Sequence, residues 1–151
     1  MIPVVFDTGV LISAIGWRGP AHRCLAFVAR RQCRLVVSAE ILAEYETRVP
    51  EVLAREAPRA NVMGALAWVR AKALWAEPSP LGKQRSRDLK DERFLAAALA
   101  VGAKAIISYD GDLLALEKPF GIPIIDRALS CCGCRRNLES DGLGPDSYCN
   151  C

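Results

Sequence analysis

Apolar residues in this chain come in short bursts separated by longer stretches of helical spacing. Pro3-Val-Val-Phe-Asp7 is a β-branched and aromatic run that predicts a strand, and Val10 to Ile15, behind Thr8-Gly9, predicts the start of a helix. Turn residues break the pattern at Gly16-Trp-Arg-Gly-Pro20. Ala21 to Arg31 then sets Cys24, Leu25, Phe27 and Val28 close to helical spacing. A second strand is predicted over Arg34-Leu-Val-Val-Ser38. Ser38 is placed to cap a helix running through Arg48, with Ile41, Leu42 and Tyr45 inward.

The second half repeats the alternation. Ala60 to Ala76 carries Val62, Met63, Leu66, Val69, Ala73 and Leu74 at helical intervals, which predicts an amphipathic packing helix ended by Pro78-Ser-Pro80 and Gly82. The polar stretch Lys83 to Arg87 follows, then an alanine-rich helix over Asp91 to Val101 closed by Gly102. Lys104-Ala-Ile-Ile-Ser108 predicts a third strand. It leads through Tyr109-Asp-Gly-Asp112 into a short helix, Leu113 to Leu116, and a fourth strand, Ile122 to Ile125. Strands alternating with helices imply βαβ units, hence an α/β fold whose mostly parallel sheet is covered on both faces.

Composition narrows the classes. The 151 residues fit one domain, and 52% hydrophobic content is enough to close a core. Charged residues are 25% and the net charge is only +3, which argues against disorder and against a strongly basic nucleic-acid coat. The longest apolar run, Phe94 to Ala103, is far shorter than the roughly 18 to 20 residues of a membrane span. Asp7 spoils the N-terminus as a signal peptide, so a cytoplasmic protein is expected, with no membrane partner.

Only two of the seven cysteines, Cys24 and Cys33, lie in the first 129 residues, and in a reducing cytosol they read as small buried hydrophobes. From Ser130 onward the hydrophobic period disappears. The chain therefore divides into a body, residues 1–129, and a Cys-rich, flexible tail, residues 130–151. Cys131-x-x-Cys134 and Cys149-x-Cys151 offer four thiolates that zinc would accept, although the second spacing is tight and a disordered extension is the preferred reading. The tail has two arginines against Glu139, Asp141 and Asp146, so it carries 2 − 3 = −1 and the body +4.

Candidate chemistry lies in the carboxylates. Asp7 and Asp110 follow two of the predicted strands, and the C-terminal strand ends of an open parallel sheet are where ligands bind. Glu44 lies near the start of the helix after the second strand, with Glu40 one turn before it. Asp88 and Asp91 lie at the start of the helix before the third strand. Each has a plain structural role as well. Asp7 and Asp110-Gly111 suit turns, Asp112 suits a cap for Leu113 to Leu116, Asp88 with Asp91 resembles a capping pair, and Glu44 alone suits solvated surface. Together they conflict with a purely structural account, because unpaired like charges about 4 Å apart repel by about 4 kcal/mol at an effective dielectric of about 20. A divalent cation is the simplest neutralising partner, and oxygen-only ligation suits Mg²⁺ or Mn²⁺ over zinc.

Four strings carry a resemblance: Val4-Val-Phe-Asp-Thr-Gly-Val-Leu-Ile-Ser-Ala14, Leu35-Val-Val-Ser-Ala-Glu-Ile-Leu-Ala-Glu-Tyr45, Asp88-Leu-Lys-Asp-Glu-Arg-Phe-Leu-Ala-Ala-Ala-Leu-Ala100 and Ile106-Ile-Ser-Tyr-Asp-Gly-Asp-Leu-Leu-Ala-Leu116. In order and spacing they resemble the PIN domain over roughly Met1 to Leu129, and look closest to the PIN-family toxins of bacterial toxin–antitoxin pairs. The resemblance implies a three-layer fold with a central, mostly parallel sheet of four or five strands flanked by helices. It also implies a metal-dependent ribonuclease whose acidic quartet maps onto Asp7, Glu44, Asp91 and Asp110, with Asp112 a fifth acidic group and Ser108 a small hydroxyl near the metal. RNA as substrate, a small antitoxin partner and homodimers are further implications. Family members commonly carry Asn or Ser where Gly9 stands, which leaves the orientation of Asp7 open, and they generally end near the equivalent of Leu129.

Two metals about 3.5 to 4 Å apart would neutralise a phosphodiester, generate hydroxide and stabilise the leaving oxygen. In that scheme Asp7 and Asp91 hold the principal metal, Asp110 shares it or holds a second, and Glu44 binds metal or orients water. His22 is the single histidine, so a two-histidine ribonuclease is excluded, and it reads as a partly exposed helix residue. Lys83, Arg85, Arg87 and Lys90 precede Asp91 and are candidates for phosphate contacts, while Trp17 with Arg18 is a candidate for base stacking, against a commoner packing role. The alternative is a non-catalytic PIN-like module that binds RNA or protein. A phospho-acceptor receiver domain would need a paired acid after the first strand and a lysine ending the last, and Phe6-Asp7-Thr8 and Ile125-Asp126-Arg127 supply neither.

Overall fold

The structure, a computed structural model, describes residues 1–126; the Cys-rich tail and its zinc-binding expectation lie outside the described residues. In chain order the elements are β1 (Ile2–Phe6), α1 (Thr8–Gly16), α2 (Pro20–Ala29), β2 (Cys33–Val37), α3 (Ala39–Glu56), α4 (Val62–Lys72), β3 (Leu74–Trp75), α5 (Glu92–Val101), β4 (Ala105–Ile107), α6 (Gly111–Leu114) and β5 (Ile124–Ile125). The five strands form one sheet in the order β3-β2-β1-β4-β5, and every neighbouring pair is parallel. Flanking helices complete a three-layer α/β fold.

The strands are apolar without alternation because both faces of the sheet are covered. Val4, Val5 and Phe6 of β1, Leu35, Val36 and Val37 of β2, and Ile106 and Ile107 of β4 are all buried. Helix α5 packs across β1, β2 and β4, while α1 packs on α2 and α3, and α3 on α4. Cys24 and Cys33 are both core residues, as their composition suggested. Among the described residues no helix is long and apolar enough to cross a membrane.

Three elements depart from the sequence expectation. Helix α3 continues past Arg48 and through Pro50 to Glu56, because Val49 and Leu53 extend its buried face and are fully enclosed. That burial outweighs the hydrogen bond a proline cannot donate. The helices meet closely there: a Cβ on Gly16 would sit 2.7 Å from Leu53 Cδ2. Helix α4 stops at Lys72, and Leu74–Trp75 pairs with Val36 and Val37 as a fifth strand, extended by Ala76 N–H donating to the Val37 carbonyl at 2.7 Å. The open edge of β2 decides between two conformations that Ala73 to Ala76 could each adopt. Met63, expected on the apolar face of α4, is instead exposed, and Leu66 and Val69 carry the packing.

The third departure concerns α6, which begins at Gly111 and is capped by Asp110, whose side chain accepts from Asp112 N–H at 2.8 Å. Other caps follow expectation. Asp7 accepts from Val10 N–H at 2.7 Å, Ser38 from Ile41 N–H at 3.2 Å, and Gly102 ends α5 with φ 61°, a left-handed value that costs glycine little.

One long-range bond fixes the sheet against α3. Tyr45 is fully buried, and its hydroxyl donates to the Phe6 carbonyl at 2.5 Å, immediately before Asp7. Tyr45→Phe is expected to leave that acceptor unpaired and to cost about 1 to 3 kcal/mol, measured by urea unfolding.

Candidate active site

Sheet order determines where the site forms. Strands β2 and β3 continue outward on one side of β1, β4 and β5 on the other, so the strand order switches sides between β1 and β4. Helices leaving these two strands diverge and open a crevice at their C-terminal ends. Asp7 directly follows β1, and Asp110 lies three residues after β4. Asp91, in the 3₁₀ turn Leu89–Asp91 that precedes α5, and Glu44, in the second turn of α3, approach from the helices.

Asp7 is 6% exposed and fully hydrogen-bonded. One oxygen accepts from Val10 N–H, while the other accepts from the Ser108 hydroxyl and from Tyr109 N–H at 3.1 Å. Burial raises its pKa, and these donors oppose the rise by stabilising the charged form. The same bonds answer the question posed by Gly9. Asp7 is oriented by Val10, Ser108 and Tyr109, and a Cβ on Gly9 would stand 3.6 Å from Asp7 Oδ1, an ordinary contact.

Asp91 carries the strain of the site. Its Oδ2 accepts from Ser86 Oγ at 3.2 Å, yet its pKa is raised to about 6 by burial and by the negative charges of Asp110, Asp88 and Asp7. Asp110 is exposed at the rim, with its N–H donating to Ser108 Oγ at 2.9 Å. Ser108 thus ties the two strand-end aspartates together, since its hydroxyl donates to Asp7 and accepts from Asp110 N–H.

Glu44 is held differently. Thr8 Oγ1 donates to its Oε1 at 2.6 Å, and Arg93 forms an ion pair with its Oε2 at 2.6 Å. Both partners of that pair are largely sheltered, with side chains 23% and 20% exposed, and Arg93 Nε also donates to the Lys90 carbonyl at 2.8 Å. Beside them, a fully enclosed Tyr45 hydroxyl has its pKa pushed upward by burial and by the Asp7 and Glu44 carboxylates, so it stays neutral.

The result is an open groove of about 800 Å³ whose walls include Glu40, Glu44, Asp88, Asp91 and Asp110 together with Arg48, Lys90 and Arg93. Asp7 lies behind it, near enough to raise Asp91. Asp112 is not a groove residue; its carboxylate turns toward Arg87 at 3.9 Å. Lys90 reaches the groove, whereas Arg85 and Arg87 face other partners. Trp17 is exposed at the far end of α1, about 14 Å of helix away from Asp7, so it does not border the crevice. Exposed His22, whose Nδ1 lies 3.0 Å from the Ala14 carbonyl oxygen, is likewise outside it.

A PIN domain family model matches residues 3–112 of the chain. The protein belongs to the PIN domain family. No curated protein matches it in sequence. PIN domains are generally nucleases and typically use divalent metals.

Whether this PIN domain suits such an ion can be tested on its own side chains. Among the described residues, no three acidic, histidine or cysteine side chains already form a closed cage. The donors nevertheless fit a hard cation: they are all carboxylate oxygens, Asp91 feels the negative charge of both Asp110 and Asp7, and no lysine or arginine among the described residues pairs with Asp7, Asp91 or Asp110 within 4.0 Å. Thr8, Ser86 and Arg93 were not singled out by sequence reasoning. Thr8 directly follows Asp7 and Arg93 lies two residues after Asp91, a nearness that could have found them, whereas Ser86 sits in a polar loop without any pattern.

A pH dependence follows from Asp91. Its carboxyl holds a proton more tightly in the folded protein than in the unfolded chain, where it titrates near 3.8. Its contribution therefore favours folding fully below about pH 3.8 and is lost as pH rises through about 6. Adding Mn²⁺ is expected to raise the melting temperature at pH 7.5 and to lose that effect below about pH 6, where the proton competes with the ion; scanning calorimetry across this range checks both.

Proposed function

We propose that this PIN domain is a Mg²⁺- or Mn²⁺-dependent endoribonuclease acting in the cytoplasm as the toxin component of a toxin–antitoxin pair. The observation that carries the reading is the crowding of Asp91 against Asp110 and Asp7 without a basic partner, an arrangement that stores negative charge for cations. In this reading Asp7, Asp91 and Asp110 hold the metal and Glu44 binds it or orients the attacking water, with Asp112 contributing only from outside the groove. Bound divalent ions would offset the charge of the phosphodiester, lower the pKa of a water molecule and stabilise the departing oxygen.

The chain's own residues supply positioning. Ser108 and the backbone at Val10 and Tyr109 lock the rotamer of Asp7, so the ligand is in place before an ion arrives. Thr8 and Arg93 fix both oxygens of Glu44. Lys90 and Arg48 stand on the groove walls where phosphates flanking the scissile bond would pass. A small antitoxin protein covering this groove, and a homodimer, complete the toxin reading by family likeness.

Incubating the purified protein with structured and single-stranded RNAs in Mg²⁺, Mn²⁺ or EDTA tests the chemistry. Cleavage is expected with either ion, absent in EDTA and absent for Asp7→Asn; cleavage that survives EDTA overturns the metal mechanism. Ser108→Ala is expected to lower metal affinity or activity by about 10- to 100-fold while leaving the fold intact by circular dichroism. Induced expression in a bacterial host should arrest growth with the wild type and not with Asp7→Asn, and equal growth of the two would remove the toxin assignment.

A further inference from the structure

Phe120 breaks two local rules at once. It is 42% exposed and stands outside the core cluster, so a large part of it faces solvent. Its backbone has φ 54°, a left-handed value that glycine or asparagine adopts with less strain than an aromatic residue. The turn around it is firmly built: Gly121 N–H donates to the Lys118 carbonyl at 3.2 Å, and Ile122 N–H to that of Pro119 at 2.9 Å. A rigid turn thus presents an aromatic ring to solvent in a conformation the residue itself disfavours, and such conflicts concentrate where a side chain serves a ligand.

The ring has one ordered companion. The Arg85 guanidinium lies over it, with Cζ 5.0 Å from the centroid. Arg85 is itself anchored, its N–H donating to Glu92 Oε1 at 2.8 Å while Ser86 N–H donates to the same oxygen. The next link reaches the acidic groove, since Ser86 Oγ donates to Asp91. The backbone of Arg85 and Ser86 is therefore tied to Glu92 and, through the Ser86 hydroxyl, to Asp91, while the Arg85 side chain reaches the ring. Between positions 83 and 90 the chain carries Lys83, Arg85, Arg87 and Lys90 against Asp88 alone, a local charge suited to a polyanion.

We propose that Phe120 and Arg85 form a stacking subsite for an unpaired nucleobase, holding single-stranded RNA a few nucleotides from the bond to be cut. This rests on the ribonuclease reading above and adds to it a subsite outside the acidic groove that would hold one base clear of the stack. Aromatic and guanidinium planes accept any base, so the subsite selects strandedness over sequence.

The test uses the full-length chain, a short fluorescein-labelled poly-U strand and EDTA, so that binding is read without cleavage. Phe120→Leu is expected to weaken binding by about 5- to 100-fold, with Phe120→Trp restoring it and melting temperatures unchanged. A second arm moves one abasic site along the strand. At one position it should weaken binding to the wild type and have no further effect on Phe120→Leu. Equal affinity of wild type and Phe120→Leu, or additive losses from the variant and the abasic site, overturns the subsite. Wild-type protein that neither binds nor cleaves any RNA removes the ribonuclease reading and the subsite with it. Cleavage in Mn²⁺ by wild type and Phe120→Leu alike, with equal KM, removes the subsite alone.

Discussion

The burial of Asp91 against the negative charges of Asp110, Asp88 and Asp7 is the constraint on which the site depends. A lone buried carboxyl can take up a proton, and a lone exposed one can be hydrated; three brought to one end of a sheet can do neither freely. The protein responds unequally. Asp7 receives enough hydrogen bonds to stay organised, Asp110 remains in solvent, and Asp91 absorbs the conflict as a pKa near 6. A site divided in this way has a clear electrostatic reason to take a cation.

Glu44 shows the same logic with another solution. It stands on α3, and Arg93 from α5 reaches across to it. Arg93 lies two residues after Asp91, so the strand of chain that delivers the strained acid also delivers the cation that calms Glu44. The ion pair links the two helices that bound the groove, and its sheltered geometry makes it more consequential than a solvent-exposed pair such as Arg48 with Glu51.

Much of this was legible in the residues themselves, for identifiable reasons. Runs such as Val4-Val-Phe6 and Leu35-Val-Val37 are too short and too apolar for surface helices, so β1 and β2 were readable, and with β4 they fix the parallel sheet. Asp7 and Asp110 could be placed because each follows such a run. What escaped was settled by contacts distant in sequence. Leu74-Trp75 becomes a strand only because β2 offers an open edge, and α3 survives Pro50 only because Val49 and Leu53 find a core to enter. Nothing local marks Ser86 as a partner of Asp91 or Arg85 as a neighbour of Phe120, since both depend on how a polar loop closes over the end of the sheet.

The outermost strand on the β2 side bears on how this molecule meets others. β3 is two residues long, and Pro78 and Pro80 follow it almost at once. Proline presents no amide hydrogen to a neighbouring ladder, so the strand cannot be prolonged to welcome one from another chain. On that flank the shortness of β3 and the prolines behind it leave little backbone edge for a strand of another chain to join.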